Sequence, residues 1–120
     1  MKLRIRGNSI RLRLTRSEVA QFADAGVVEE TLDFGPGKPQ FKYSLVSSND
    51  APELSAEFGG GVIRVTVPSD RVRAWADSER VGIESANGLR LLIEKDFACM
   101  SERDGEDQAD AYPNPNAEAP

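Results

Sequence analysis

Apolar and polar residues alternate through the first fourteen positions. Met1, Leu3, Ile5, Ile10, Leu12 and Leu14 form one set, and Lys2, Arg4, Arg6, Arg11 and Arg13 form the other. A period of two marks half-buried strands, and Gly7-Asn8 between the runs marks a two-residue hairpin turn. That turn sets Leu3 against Leu12 and Ile5 against Ile10, with Met1 against Leu14. On the opposite face Lys2 meets Arg13 and Arg4 meets Arg11. Like charges directly opposed on a sheet destabilise it, so this face needs an anionic neighbour.

The period then changes. Thr15-Arg16-Ser17-Glu18 is a capping box, Val19, Phe22 and Ala23 recur at helical spacing, and Gly26 suits the C′ position. A short helix is predicted over 16–25. Residues 27–34 are extended, 35–39 form a loop, and 40–46 form a strand with Phe41, Tyr43 and Leu45 on one face. A polar connector over 47–52 follows.

Strands over 54–58 and 62–67 then flank Gly59-Gly60-Gly61 and pair Phe58 with Ile63, Ala56 with Val65, Leu54 with Val67 and Glu57 with Arg64. The glycines precede a strand with no Gly-Lys-Ser/Thr after them, so they are a hairpin turn and not a phosphate loop. Pro68-Ser69-Asp70 opens a second helix, capped by Ser69, with Val72, Trp75 and Ala76 on its apolar side. The last hairpin joins 80–85 to 89–95. A three-residue loop with Gly88 left-handed pairs Ile83 with Leu91, Val81 with Ile93, Glu84 with Arg90 and Arg80 with Glu94.

The halves, about 1–46 and 54–97, align without gaps from the start to residue 29 at an offset of 53. Gly7, Ile10, Arg11, Val19, Ala23 and Asp24 match Gly60, Ile63, Arg64, Val72, Ala76 and Asp77. An internal duplication of a β-β-α-β-β unit follows as an expectation. The predicted fold class is α+β: two such halves about a pseudo-two-fold, eight mostly antiparallel strands, open or barrel-like, and two short helices covering an open face or end. A shifted parsing resembles the glyoxalase and extradiol-dioxygenase fold, whose metal ligands include histidine.

Composition sharpens this picture in three places. The 120 residues contain no histidine, which removes the commonest general base and metal ligand, and one cysteine, which cannot form an intramolecular disulfide. No apolar run approaches a membrane span and no signal-peptide pattern opens the chain, so a cytoplasmic location is expected. The net charge of −5 conceals a segregation. Residues 1–16 carry Lys2, Arg4, Arg6, Arg11, Arg13 and Arg16 with no acid, whereas 96–120 carry Asp96, Glu102, Asp104, Glu106, Asp107, Asp110 and Glu118 against Arg103. One α+β domain over 1–97 and an acidic tail over 98–120 are expected.

The basic face is the candidate site: Lys2, Arg4, Arg6, Arg11 and Arg13, extended by Arg64 and Lys42 if their strands lie near. The prevalence of arginine favours forked contacts to phosphate or carboxylate. The alternative is a solvated sheet face whose cations pair with Glu29, Asp33, Glu53 or Glu57. Nucleic acid is disfavoured, because no aromatic residue interleaves with these cations to stack a base.

An enzyme acting on a phosphorylated compound would need a metal held by Glu29, Glu53, Glu57, Glu84 or Glu94, resembling a triphosphate tunnel. That family opens with Glu-x-Glu-x-Lys, where this chain has Lys-x-Arg-x-Arg. Cys99 reads as a packing residue, Trp75 with Phe22 as core anchors, and residues 104–110 lack the spacing of a calcium loop. The acidic tail is expected to lie across the first hairpin and supply its counter-charges.

The opening Met-Lys-Leu-Arg-Ile-Arg-Gly-Asn-Ser-Ile-Arg-Leu-Arg-Leu-Thr resembles a family of small uncharacterised bacterial proteins. So does the close, Glu-Lys-Asp-Phe-Ala-Cys with Gly105-Glu106-Asp107, Ala109-Asp110 and Tyr112-Pro113-Asn114-Pro115. The resemblance covers the whole chain and carries over no catalytic residue, cofactor or metal. The expectation is therefore a small non-catalytic protein that uses its basic hairpin for an acidic protein segment, its own tail included, or a small anion.

Overall fold

The computed structural model describes residues 1–96, with the backbone alone at 86 and 87. The segment 98–120, with Cys99 and the expected docking of the tail, lies outside the described residues. The order is β1 (Lys2–Arg6), β2 (Ser9–Leu14), α1 (Arg16–Ala25), β3 (Val27–Asp33), β4 (Gln40–Ser48), β5 (Ser55–Gly59), β6 (Val62–Pro68), α2 (Ser69–Ala76), β7 (Gly82–Asn87) and β8 (Leu89–Lys95). This is the α+β fold expected.

Local chemistry accounts for the first half of each unit. In β1–β2, Leu3 faces Leu12, Ile5 faces Ile10, Lys2 faces Arg13 and Arg4 faces Arg11, as the alternation requires. The β5–β6 pair sets Phe58 against Ile63, Ala56 against Val65 and Glu57 against Arg64. Helix α1 starts on a complete capping box. The Thr15 hydroxyl accepts from Glu18 N–H, Glu18 returns the bond to Thr15 N–H, and Gly26 ends the helix at φ 81°.

Helix α2 departs from expectation. Its N-cap is Pro68 with no side-chain cap bond, and Ser69 is the first helical residue. The Ser69 hydroxyl is 2.8 Å from that of Ser47, so it ties α2 to the end of β4 instead of capping its own helix.

Tertiary pairing departs further. The strands form two four-stranded sheets, β1-β2-β8-β7 and β3-β4-β6-β5, and neither closes into a barrel. Each sheet joins the first hairpin of one half to the second hairpin of the other. The central pairs, β2 with β8 and β4 with β6, are parallel. Exchanging the halves turns the order of one sheet into the order of the other.

The sheets share one core. The first contributes Leu12, Leu14, Ile83, Leu91 and Ile93, and the second contributes Val28, Leu45, Ile63, Val65 and Val67. Val19, Phe22, Val72 and Trp75 of the helices join them, and Phe22 and Trp75 are fully buried. α1 packs on α2, which closes one end of the core. The Trp75 indole N–H donates to the Val81 carbonyl at 3.1 Å, as a buried indole must find an acceptor.

The last hairpin needs a correction. Ile83 faces Ile93, Ser85 faces Leu91 and Ala86 faces Arg90, a register two residues away from the one expected. A slip of two preserves side-chain parity, so Ile83, Leu91 and Ile93 still point inward. The expected pairs Glu84–Arg90 and Arg80–Glu94 are not register partners. Val81 lies outside the strand, 52% exposed.

The cause is the neighbouring strand. β8 zips to β2 from Ser9–Arg90 to Leu14–Lys95, and Arg90 N–H donates to the Asn8 carbonyl at 3.1 Å. Gly82 permits the tight fit, since a Cβ there would stand 2.9 Å from the Ile93 carbonyl oxygen. Among the described residues no helix is long and apolar enough to cross a membrane.

Candidate anion-binding face

Strand parity places Lys2, Arg4 and Arg6 of β1, and Arg11 and Arg13 of β2, on the outer face of the first sheet, behind the core residues with which they alternate. Parallel pairing continues that face onto β8, where Arg90, Leu92 and Glu94 stand beside Ser9, Arg11 and Arg13. Five of the six residues singled out in the sequence therefore come together.

Arg64 does not join them. It lies on the second sheet, opposite Glu57, with its Nη1 3.5 Å from Glu57 Oε1. Lys42 is also on the second sheet, on β4. The cations do not line a tunnel, because the sheets stay open and the faces they turn to each other are apolar.

For Lys2, Arg11 and Arg13 the counter-charges come from β8 and the residue after it. Glu94 Oε1 lies 3.1 Å from Arg13 Nη2 and 3.5 Å from Arg11 Nε. Asp96 Oδ2 is 3.5 Å from Lys2 Nζ. Arg4 and Arg6 are also engaged. One carboxylate thus serves two guanidiniums at the middle of the face, and the opposition noted between Arg4 and Arg11 is eased from the far side of β2.

Toward the hairpin tips the balance changes. The Asn8 side-chain amide donates to the Gly88 carbonyl at 3.2 Å, which clasps the β1–β2 turn to the β7–β8 turn. Beside this clasp lies a groove of about 720 Å³. Its charged lining, among the described residues, is Arg6, Arg11 and Arg90 against the single carboxylate of Glu84. Asn8, Ser9 and Ser85 add polar groups. The sequence reading missed Arg90, because it paired Arg90 with Glu84. The available signal was parity: Arg90, Leu92 and Glu94 share one face of β8.

A second groove, of about 400 Å³, opens between the sheets at the end away from the helices. Ile5, Ile10 and Leu89 of the first sheet line it with Phe41, Phe58 and Ile63 of the second. Ile5 and Phe58 are 56% and 71% exposed. Ile10 is in the lining of both grooves.

Elsewhere the Met1 amino group is gripped by Glu18, and it lies 2.8 Å from Glu30 Oε2. Burial opposes the amine's charge, but the hydrogen bonds and charges of Glu18 and Glu30 outweigh it and raise its pKa above 8.0. Burial likewise pushes Glu18 up, and its bonds to the amine and to Thr15 N–H bring it below 4.5. Burial, then the charges of Glu30 and Glu18, raise Tyr43 above 10.0. The Tyr43 hydroxyl donates to the Met1 carbonyl at 3.0 Å, so this cluster ties the chain start to the second sheet. Among the described residues no three carboxylate or thiol groups gather as a metal would need.

The fold and face together define a two-sheet α+β protein with one arginine-rich outer face. The chain belongs to a family of unknown function (DUF7009), matched over residues 1–116. The likeness drawn from its opening and closing motifs holds at that level. No curated protein and no solved structure matches it.

Proposed function

We propose that this is a non-catalytic binding protein whose outer arginine face takes an acidic protein segment or a small anion. The observation that carries the reading is the convergence of Arg6, Arg11 and Arg90 on one groove whose carboxylate, among the described residues, is that of Glu84. Guanidiniums present planar forks to carboxylate or phosphate, and strand positions hold them in place. Arg64 is outside this reading, since it belongs to the other sheet.

Titration of the full chain with a hexaglutamate peptide, and separately with inorganic pyrophosphate, tests it. Binding that fades as salt rises is expected, weakened by Arg90→Gln. Absence of binding at low salt with both probes would overturn the reading. Stabilisation only by a nucleotide with Mg²⁺ would instead favour a phosphate-processing enzyme.

The same reading takes the two halves as copies of one β-β-α-β-β unit. The offset-53 identities and the exchangeable strand orders support it. On that basis the arginine groove is a specialisation of the first sheet, because the row that holds Arg64 on the second sheet also holds Glu29 and Glu57.

A further inference from the structure

We infer that the resident occupant of the arginine face is the chain's own acidic segment, residues 102–112, so that any other ligand must displace it. This rests on the binding reading above and names what regulates that site. The segment presents Glu102, Asp104, Glu106, Asp107 and Asp110, followed by Tyr112.

Three observations favour it over an unrelated partner. The first is the point of departure. Asp96 N–H donates to the Leu14 carbonyl at 2.8 Å, which extends the β2–β8 pairing, and the Asp96 carboxylate is beside Lys2. The chain therefore leaves the described domain on the basic face itself.

The second is reach. Six residues of β8 separate Asp96 from the level of Arg90, about 20 Å of strand. Residues 97–102 span about the same distance when extended. The first acid of the cluster thus comes within reach of the level of Arg90.

The third is the order of chemistry. The arginine groove and the apolar groove between the sheets share Ile10 in their linings. A ligand that fits both offers carboxylates first and a bulky apolar group after them. Residues 102–110 and then Tyr112 have that order. A small anion would leave the apolar groove, with Ile5 and Phe58 at its rim, uncovered. The family match also extends to residue 116, so it covers the acidic segment together with the sheets.

The test keeps the full chain and neutralises the segment in place, with Glu102→Gln, Asp104→Asn, Glu106→Gln, Asp107→Asn and Asp110→Asn combined. If the segment holds the face nine-tenths of the time, the neutralised chain binds hexaglutamate about tenfold more tightly than the native chain. Amide exchange of residues 4–11 should rise several-fold in the variant, and native protein in high salt should behave like the variant.

Equal hexaglutamate affinity and equal exchange in the two chains would overturn the inference while leaving the binding reading intact. If neither chain binds hexaglutamate yet exchange still rises on neutralisation, the segment does dock and the binding reading fails. Tyr112→Ser separates the two grooves. It should raise exchange near Ile5 and Phe58 with little change near Arg11, and loss of protection near Arg11 alone would contradict the assignment of the apolar groove to Tyr112.

Discussion

Arg13 and Glu94 are register partners across the parallel β2–β8 pair, and Glu94 Oε1 lies 3.1 Å from Arg13 Nη2. Eighty-one residues separate them in the chain. The counter-charge the first hairpin needs thus arrives from the last strand, and the same carboxylate also reaches Arg11.

Removing that carboxylate should matter. Both partners are 16% exposed, so Glu94→Gln leaves two guanidiniums facing each other in a partly dehydrated site. A loss of about 1–3 kcal/mol is expected by urea denaturation, together with tighter hexaglutamate binding. The exposed pair Arg64–Glu57, at 51% and 74%, is the control, and Glu57→Gln should change stability by less than about 1 kcal/mol.

The amino-terminal cluster sets a pH window. Glu18 titrates below 4.5 in the folded protein, so its contribution is present above that pH and is lost as pH falls through its native pKa. The Met1 amine titrates above 8.0, so its contribution is full below 8.0 and is lost as pH rises through its native value. Tyr43, raised above 10.0, adds to the alkaline loss. Thermal melts should show a plateau between these limits. Glu18→Gln should flatten the acid side, and acetylation of the amine should lower Tm across the plateau.

Gly82 is a steric position. A Cβ there would meet the Ile93 carbonyl oxygen at 2.9 Å and the Leu92 side chain at 3.3 Å. Gly82→Ala should cost about 1–3 kcal/mol, because backbone of the central strand β8 must move. Chemical denaturation checks this. A value near zero would mean the β7–β8 register is looser than the pairing indicates.

Trp75 reports on the end of the core closed by the helices. It is fully buried and its N–H is bonded to Val81 O. Trp75→Phe should destabilise by about 1–3 kcal/mol through lost volume and one lost hydrogen bond, although the Val81 carbonyl keeps its bond from Lys95 N–H at 2.9 Å. The native chain has one tryptophan, so fluorescence should shift to the red in a single step on unfolding.

Much of this was legible locally. The alternation in 1–14 contains the β1–β2 register, because a two-residue turn leaves one way to set Leu3, Leu12, Ile5 and Ile10 on one face. Thr15, Glu18 and Gly26 bound α1 through bonds that span no more than four residues. The second helix was placed correctly, but Ser69 was misread because its hydroxyl is taken by Ser47, 22 positions away. The last hairpin failed for the same kind of reason: its tip is held by Asn8, and its side-chain parity fits two registers equally well.

The sequence by itself determined which residues turn inward, where the helices begin and end, and that one hairpin face carries arginines with no acid on the same hairpin. These follow from period, turn chemistry and capping, all short-range. Tertiary structure alone decided that the first hairpin pairs with the last, that its central neighbour runs parallel, and that Glu94 and Arg90 complete the basic face while Arg64 is removed from it. Pairing between hairpins depends on which apolar faces can be buried together and which edges meet, and neither is written in any single stretch of the chain.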